Sequence, residues 1–360
     1  MTKQIYSVIK GSGSYLPPKV VENADFLEHK FYSPSGEQMT KPNQVIVDKF
    51  REITEIEQRR YVDDELVTSD IAAFAGQKAI DSSGIDAESL DYIIVAHNFG
   101  DVSKETMRTD ILPSLASKVK YKLKIENPYC VAYDILFGCP GWVQALIQAD
   151  FYIKSGAAKK ILVIGAETLS RVSDLHDIDS MIYSDGAGAV VLEAAESEEP
   201  VGILSHISRT DTAKNAFLLK MGPSYNKEVD PKDQFLKMNG RKVYEYALHT
   251  VPATVKKCME NAGVDISDIK KVLIHQANAK MDHAILARLF KLYGLRQVPE
   301  NVMPLTIGDL GNNSVATVPV LFDLLINKEL ESHHLHPGDH FVFTSVGAGM
   351  NINAIVYKMP

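Results

Sequence analysis

The sequence predicts an α/β protein of two similar halves packed against each other, with helices held between two mainly parallel sheets. Two internal comparisons lead there. The first sets "AGQKAIDSSGIDAESLDYIIVAHNF" beside "ATVKKCMENAGVDISDIKKVLIHQAN", where Gly84 falls on Gly263, Asp86 on Asp265, Leu90 on Ile269, and Ile93-Ile94-Val95 on Val272-Leu273-Ile274. Each copy reads as a helix, a glycine stop, a short acidic link and a buried strand. The second comparison pairs the helical pattern after Cys139 and the strand in "SGAAKKILVIGAET" with "NNSVATVPVLFDLLINKEL" and the strand in "HPGDHFVFTSVGAG". Strands alternating with helices in both halves argue for sheets covered on both faces. The halves divide at residues 1–198 and 199–360.

In chain order, "VAYDILF" is a strand that runs into a glycine-flanked turn at Gly138-Cys139-Pro140, and "GWVQALIQADFYIK" is the helix that follows. "YSDGAGAVVLEA" is a tight strand link whose glycines permit close backbone packing; it lacks the GxGxxG spacing and following helix of a dinucleotide site. "KVLIH" is a buried strand ending on His275, "NAKMDHAILARLFKLYG" a helix, and "MPLTIGDLG" leads to a helix opened by Asn312 or Asn313. In such a fold, residues at the carboxyl ends of strands gather in the crevice between the halves. Cys139, His275 and Asn312 all occupy such positions.

Bulk properties narrow the class. A chain of 360 residues with 45% hydrophobic and 23% charged content can bury a large core and is not disordered. A net charge of -8 disfavours a nucleic-acid partner. No apolar run approaches the roughly 20 residues that span a bilayer, and the first thirty residues lack the pattern of a signal peptide. The expectation is a soluble, cytoplasmic protein without membrane attachment. Cys130, Cys139 and Cys258 cannot all pair and have no CxxC spacing, which suits a reducing compartment. His333, His334 and His336 stand in "ESHHLHPGDH" without a carboxylate or cysteine to complete a ligand set, so no metal is expected.

Cys139 has two readings. A thiol at a strand-to-helix turn, with Pro140 at the first helical position, is held near unpaired amides and the helix dipole, and both favour a thiolate. A buried inert cysteine filling a tight turn is the other reading, and Cys130 and Cys258 have that character. His275 reads as a hydrogen-bonded strand-end residue or an acid/base group, and Asn312 and Asn313 as helix caps or neutral donors. Taken together, a cysteine for covalent capture, a histidine and a neutral donor form a set suited to acyl transfer. A developing oxyanion needs hydrogen-bond donors, and a carboxylate there would repel it.

"FGCPGW", "YSDGAGAVVLEA", "HQANAKM", "GNNSVATVP" and "SVGAGMN" resemble, in order and spacing, the β-ketoacyl-[acyl-carrier-protein] synthase III group of the thiolase superfamily, over nearly the whole chain. That resemblance implies a duplicated thiolase-like fold, two mixed-sheet halves in a layered α-β-α-β-α sandwich, and a homodimer. It implies a transferase of fatty-acid or specialised polyketide-like biosynthesis that performs a decarboxylative Claisen condensation. Cys139 would be acylated by the primer. His275 and Asn312, the latter preferred because it follows Gly311, would hold the malonyl thioester and its enolate. The N–H groups of Cys139 and Ala348, in the Gly347-Ala348-Gly349 loop, would form the oxyanion hole. No cofactor is implied; acyl-CoA or acyl carrier protein and malonyl carrier protein are substrates.

An acidic carrier needs a basic face. Lys280, Arg288 and Lys291 lie within about 80° on one helix, and Lys280 matches the family's carrier-contacting position. The Trp and Arg with which relatives clamp the CoA adenine become Lys49 and Ile53, and a further CoA-contacting Arg becomes Asp177, which together predict weak CoA binding. "NFGDVSKETMRTDILPS" is longer than usual in the region where the partner subunit shapes the acyl pocket, so Leu112 is a pocket candidate; so is Trp142, which is also a reasonable core residue. These departures point to an unusual primer: carrier-bound, medium-chain or already β-functionalised. Two alternatives remain: an acyltransferase or non-decarboxylative condensing enzyme passing the acyl group to an alcohol, amine or β-keto thioester, and a non-catalytic scaffold partner.

Overall fold

The computed structural model describes residues 3–106 and 108–360. Nine strands make two sheets. The first contains β1 (Gln4–Tyr15), β2 (Tyr92–Ala96), β3 (Val131–Ile135), β4 (Lys160–Thr168) and β5 (Asp185–Ser197), in the order β1-β5-β4-β2-β3. The second contains β6 (Gly202–Thr210), β7 (Ile269–Ile274), β8 (His340–Gly347) and β9 (Asn351–Lys358), in the order β6-β9-β8-β7. The second order repeats the first without its edge strand. The chain crosses between the sheets in the short link after Ser197.

The helices that build the layers are α1 (Asn43–Thr54), α2 (Thr68–Ser83), α3 (Leu115–Lys122), α4 (Gly141–Lys154), α5 (Gly240–Ala262), α6 (Ala279–Lys291) and α7 (Thr317–Ile326). α2 and α3 cover the outer face of the first sheet, and α5 with α6 that of the second. α4 and α7 lie between the sheets. Both are apolar nearly all round, as a helix with no solvent face must be. Trp142 of α4 lies edge-on to Phe343 of β8, and Phe322 of α7 packs on Phe341 and Phe343, so one core joins the halves.

The repeat reaches local detail. Gly84 and Gly263 end α2 and α5 at φ 68° and 67°, the left-handed conformation that favours glycine. Asp86 and Asp265 then cap single helical turns by accepting from the N–H groups of Glu88 and Ser267. The expectation of mainly parallel sheets needs correction. β2 pairs parallel with β3 and β4, and β7 with β8, but β1, β5, β6 and β9 are held antiparallel. The turn from Gly347 to Asn351 is too short for a crossover helix, so β9 must return antiparallel to β8. Among the described residues no helix is long and apolar enough to cross a membrane.

Candidate active site

The turn after β3 is built by close backbone approach. Gly138 adopts φ +66°, and a Cβ there would lie 2.7 Å from the Ala348 nitrogen and 2.8 Å from its oxygen. On the other side, a Cβ on Gly347 would lie 2.5 Å from the Cys139 nitrogen. Only glycines let the two backbones meet. Asn351 ties them, donating from Nδ2 to Ala348 O (2.9 Å) and Phe137 O (3.4 Å). The Cys139 and Ala348 backbones, one from each half, are thereby held in close approach.

α4 begins at Gly141, with Pro140 at the N-cap. Cys139 therefore lies one residue further outside the helix than the sequence pattern predicts, and burial dominates its thiol, pushing it up to about 11. The expectation of a resting thiolate near neutral pH is corrected accordingly. The opposing influence is a hydrogen bond from Ser314 Oγ to Cys139 Sγ at 3.3 Å. Cys130 and Cys258 are buried with thiols also pushed up to about 11, in keeping with structural roles.

His275 directly follows β7, its N–H bonded to Thr344 O at 3.0 Å. The ring is buried and Nδ1 has no partner. Burial lowers its pKa to about 4, against a backbone hydrogen bond at Ser314 that acts in the other direction. The imidazole is neutral at pH 7. The next residue, Gln276, donates to Pro304 O and accepts from the N–H groups of Thr306 and Ile307, fixing the segment that leads to Asn312.

Asn312 is anchored by backbone bonds, its N–H to Ile182 O (2.9 Å) and its carbonyl from Ser184 N–H (2.8 Å). Its Oδ1 accepts from the Ser314 N–H at 2.8 Å, which leaves the Nδ2 end of the amide for an acceptor. Asn313 instead accepts from Thr317 Oγ1 and packs on Gly186, a structural task. Ser314 thus touches Cys139, His275 and Asn312, and sequence reasoning missed it. In "GNNS" it looks like an ordinary cap; only its φ of +51°, rare outside glycine, marks it as special.

An apolar cavity of about 790 Å³ is lined among others by Phe50, Ile53, Ile182, Ala277 and Met281. Two of its lining residues border the site in the chain or by hydrogen bond: Ile182 O holds the Asn312 N–H, and Ala277 stands two residues beyond His275. Lys49 and Ile53, the positions where relatives' adenine clamp is replaced, both line the cavity. Asp177 does not act as expected. It is buried and bonded to Lys237 at 3.0 Å, so its charge is neutralised internally and does not face incoming phosphates.

Trp142 is fully buried in the central layer, with Nε1 3.4 Å from Val163 O, so it is a core residue and not a pocket wall. Leu112 is 87% exposed and does not line the apolar cavity. Met107, within the same long segment, lies outside the described residues. Lys280, Arg288 and Lys291 are all exposed on α6, whose Ile285, Leu289 and Phe290 face inward. His333 contacts Asn301 O and His336 pairs with Asp339; among the described residues no cluster of three or more metal-ligating side chains occurs.

Residues 133–212 match the family model for 3-oxoacyl-[acyl-carrier-protein] synthase III, and residues 259–359 its C-terminal model. A β-ketoacyl-[acyl-carrier-protein] synthase III of Erythrobacter litoralis is 35% identical over 357 residues, covering 98% of this chain and 99% of that protein. One from Xanthomonas campestris is 34% identical, covering 97% of each. The solved 3-oxoacyl-[acyl-carrier-protein] synthase III of Aquifex aeolicus superposes with a TM-score of 0.78 at 28% identity, over 98% of this chain and 99% of that one. The chain belongs to the β-ketoacyl-[acyl-carrier-protein] synthase III family.

Proposed function

We propose that the protein is a condensing acyltransferase that loads an acyl primer on Cys139 and joins it to a malonyl-carrier-type donor, in fatty-acid or specialised polyketide-like biosynthesis. The observation that supports this reading best is Ser314, bonded at once to the Cys139 sulfur and the Asn312 amide. In the first half-reaction Sγ attacks the primer thioester. The new S–C bond replaces the one to the carrier or CoA, and the Cys139 proton passes to the leaving thiol. The Cys139 and Ala348 amides hold the oxyanion. In the second, the C–CO2 bond of the malonyl donor breaks and its electron pair moves to the thioester oxygen, which neutral His275 and Asn312 stabilise. The enolate carbon then attacks the acyl carbonyl, the C–Sγ bond breaks, and the Cys139 thiolate takes up a proton from solvent. Neutral donors suit this step because they stabilise the new charge without having to lose one. These steps use side chains and thioester substrates and require no resident cofactor.

The carrier would dock on Lys280, Arg288 and Lys291, and a cytoplasmic location follows from such a partner. The homodimer would form along β3, the unpaired edge of the first sheet, where Val131 and Leu136 are exposed, with Leu112 reaching the partner's pocket. The halves 1–198 and 199–360 would descend from one duplicated unit. Intact-protein mass spectrometry after exposure to acyl-CoA and acyl-carrier panels tests the reading. A thioester should appear on the wild type and be absent from Cys139→Ala. His275→Ala should still acylate but release no CO2 from malonyl carrier; equal loss of both steps contradicts the separate roles of Cys139 and His275. Turnover of the acyl-enzyme with no CO2 release by the wild type would turn the assignment to non-decarboxylative acyl transfer.

A further inference from the structure

Behind Ser314 lies a buried acid that the reaction above does not use. Glu167, near the end of β4, is fully buried. Its Oε2 accepts from Asn98 twice, from Nδ2 at 2.7 Å and from the backbone N–H at 3.1 Å, while Oε1 has no partner. Asn98 Nδ2 also reaches Ser314 Oγ at 3.3 Å. These bonds fix a direction. An ionised carboxyl only accepts, so the Asn98 amide must present its N–H end, and Ser314 Oγ, accepting from Asn98, has its single proton free for Sγ. The result is a chain of donors from Asn98 through Ser314 to Cys139, set by an acid at its far end.

We propose that Glu167 is a positioning residue that, through Asn98 and Ser314, sets how readily the Cys139 sulfur reacts: its carboxyl keeps the donor chain aimed at Sγ, and its charge opposes ionisation of that sulfur. The inference rests on reading Cys139 as the acyl acceptor. The other groups facing this pair are His97 at the end of β2, which bonds Asp134 of β3; Asp185 at the start of β5; and Tyr183 and His275 on the Cys139 side. Burial pushes Glu167 up to about 7, with His97 and Asn98 acting the other way and Asp185 adding to it. The acid therefore changes charge near neutral pH.

The test is the pH dependence of Cys139 alkylation by iodoacetamide, located by peptide mapping, in the full chain. In the wild type the rate should rise less than tenfold per pH unit between pH 6 and 8, because the charge that Glu167 gains over that range progressively disfavours the Cys139 thiolate. Glu167→Gln keeps an acceptor for Asn98 but removes the charge. It should restore the full slope and speed alkylation about threefold or more at pH 8, the equivalent of half a pKa unit. Ser314→Ala and Ser314→Gly both delete the hydroxyl, and Gly also suits the backbone at φ +51°; both should slow alkylation by a similar factor. A purely structural role would lower the thermal midpoint and leave the shape of the profile unchanged. A Glu167→Gln profile that superimposes on the wild type overturns the proposal. The expected profile without thioester formation from any acyl-CoA or acyl carrier would instead overturn the reading of Cys139.

Discussion

Replacing Gly138 by alanine probes the seam on which the site depends. The left-handed φ of +66° costs an L-residue about 1–2 kcal/mol. The new methyl would lie 2.7–2.8 Å from the Ala348 nitrogen and oxygen, where ordinary contact begins at 3.4 Å, so the two backbones must part by about 0.6 Å. Overpacking of that kind adds about 1–3 kcal/mol. The displacement falls on the two amides meant to hold the oxyanion. Since a 1 Å error in a reacting geometry costs about a hundredfold, Gly138→Ala should slow acyl-enzyme formation by about tenfold or more. Gly156→Ala is the control: φ is +79° but no atom lies within 4 Å of the added Cβ, so only the backbone penalty applies and acylation should be unchanged. The readouts are the single-turnover acylation rate by quenched mass spectrometry and the thermal midpoint. Acylation by Gly138→Ala within about threefold of the wild type would refute the placement of the oxyanion hole.

Two further outcomes are expected. Asp282 of α6 is fully buried with neither carboxyl oxygen bonded, and burial holds its pKa well above the usual carboxylate range. The native state thus keeps a proton that the unfolded chain loses above about pH 4. This costs nothing in acid and grows as pH rises. Asp282→Asn should gain stability over the wild type between pH 5 and 8, by about 1–3 kcal/mol, in guanidinium unfolding; a gap that does not change with pH would contradict this. Lys280→Glu should raise KM for carrier-bound substrates severalfold with little change in kcat, and added salt should shrink the difference because exposed charges are screened; equal KM values would remove Lys280 from the docking face.

The frame of the molecule was legible because its signals are local. Gly84 with Asp86, and Gly263 with Asp265, are a stop and a cap that mean the same thing wherever they occur, and their repetition exposed the duplication. Cys139, His275 and Asn312 were legible as strand-end residues in corresponding loops. What escaped reading depends on where side chains point after distant segments meet. Ser314 became prominent only when its hydroxyl met Sγ and its N–H met Asn312. Asp177 looked like a surface charge until Lys237, from a hairpin strand sixty residues on, was found against it. Trp142 stands three residues past Cys139, less than one helical turn, and that proximity in sequence suggested a pocket wall; the side chain instead points between the sheets. The parallel pattern failed for a covalent reason, the short link between Gly347 and Asn351.

The contact between the Gly138 turn and the Gly347 turn has a consequence for how the protein becomes active. Neither half holds the proposed site by itself: one brings the sulfur, the other the imidazole, the Asn312 amide and the Ala348 N–H proposed as second oxyanion donor, and Ser314 meets Cys139 across 175 residues of chain. Joining segments so far apart is a late event in folding, because loop closure must come before the contact can reward it. The chemistry of the thiol is therefore a reporter of assembly. A chain whose halves have each folded but not yet docked would carry a cysteine without its donor chain, and its change to native reactivity would mark the moment the two halves close.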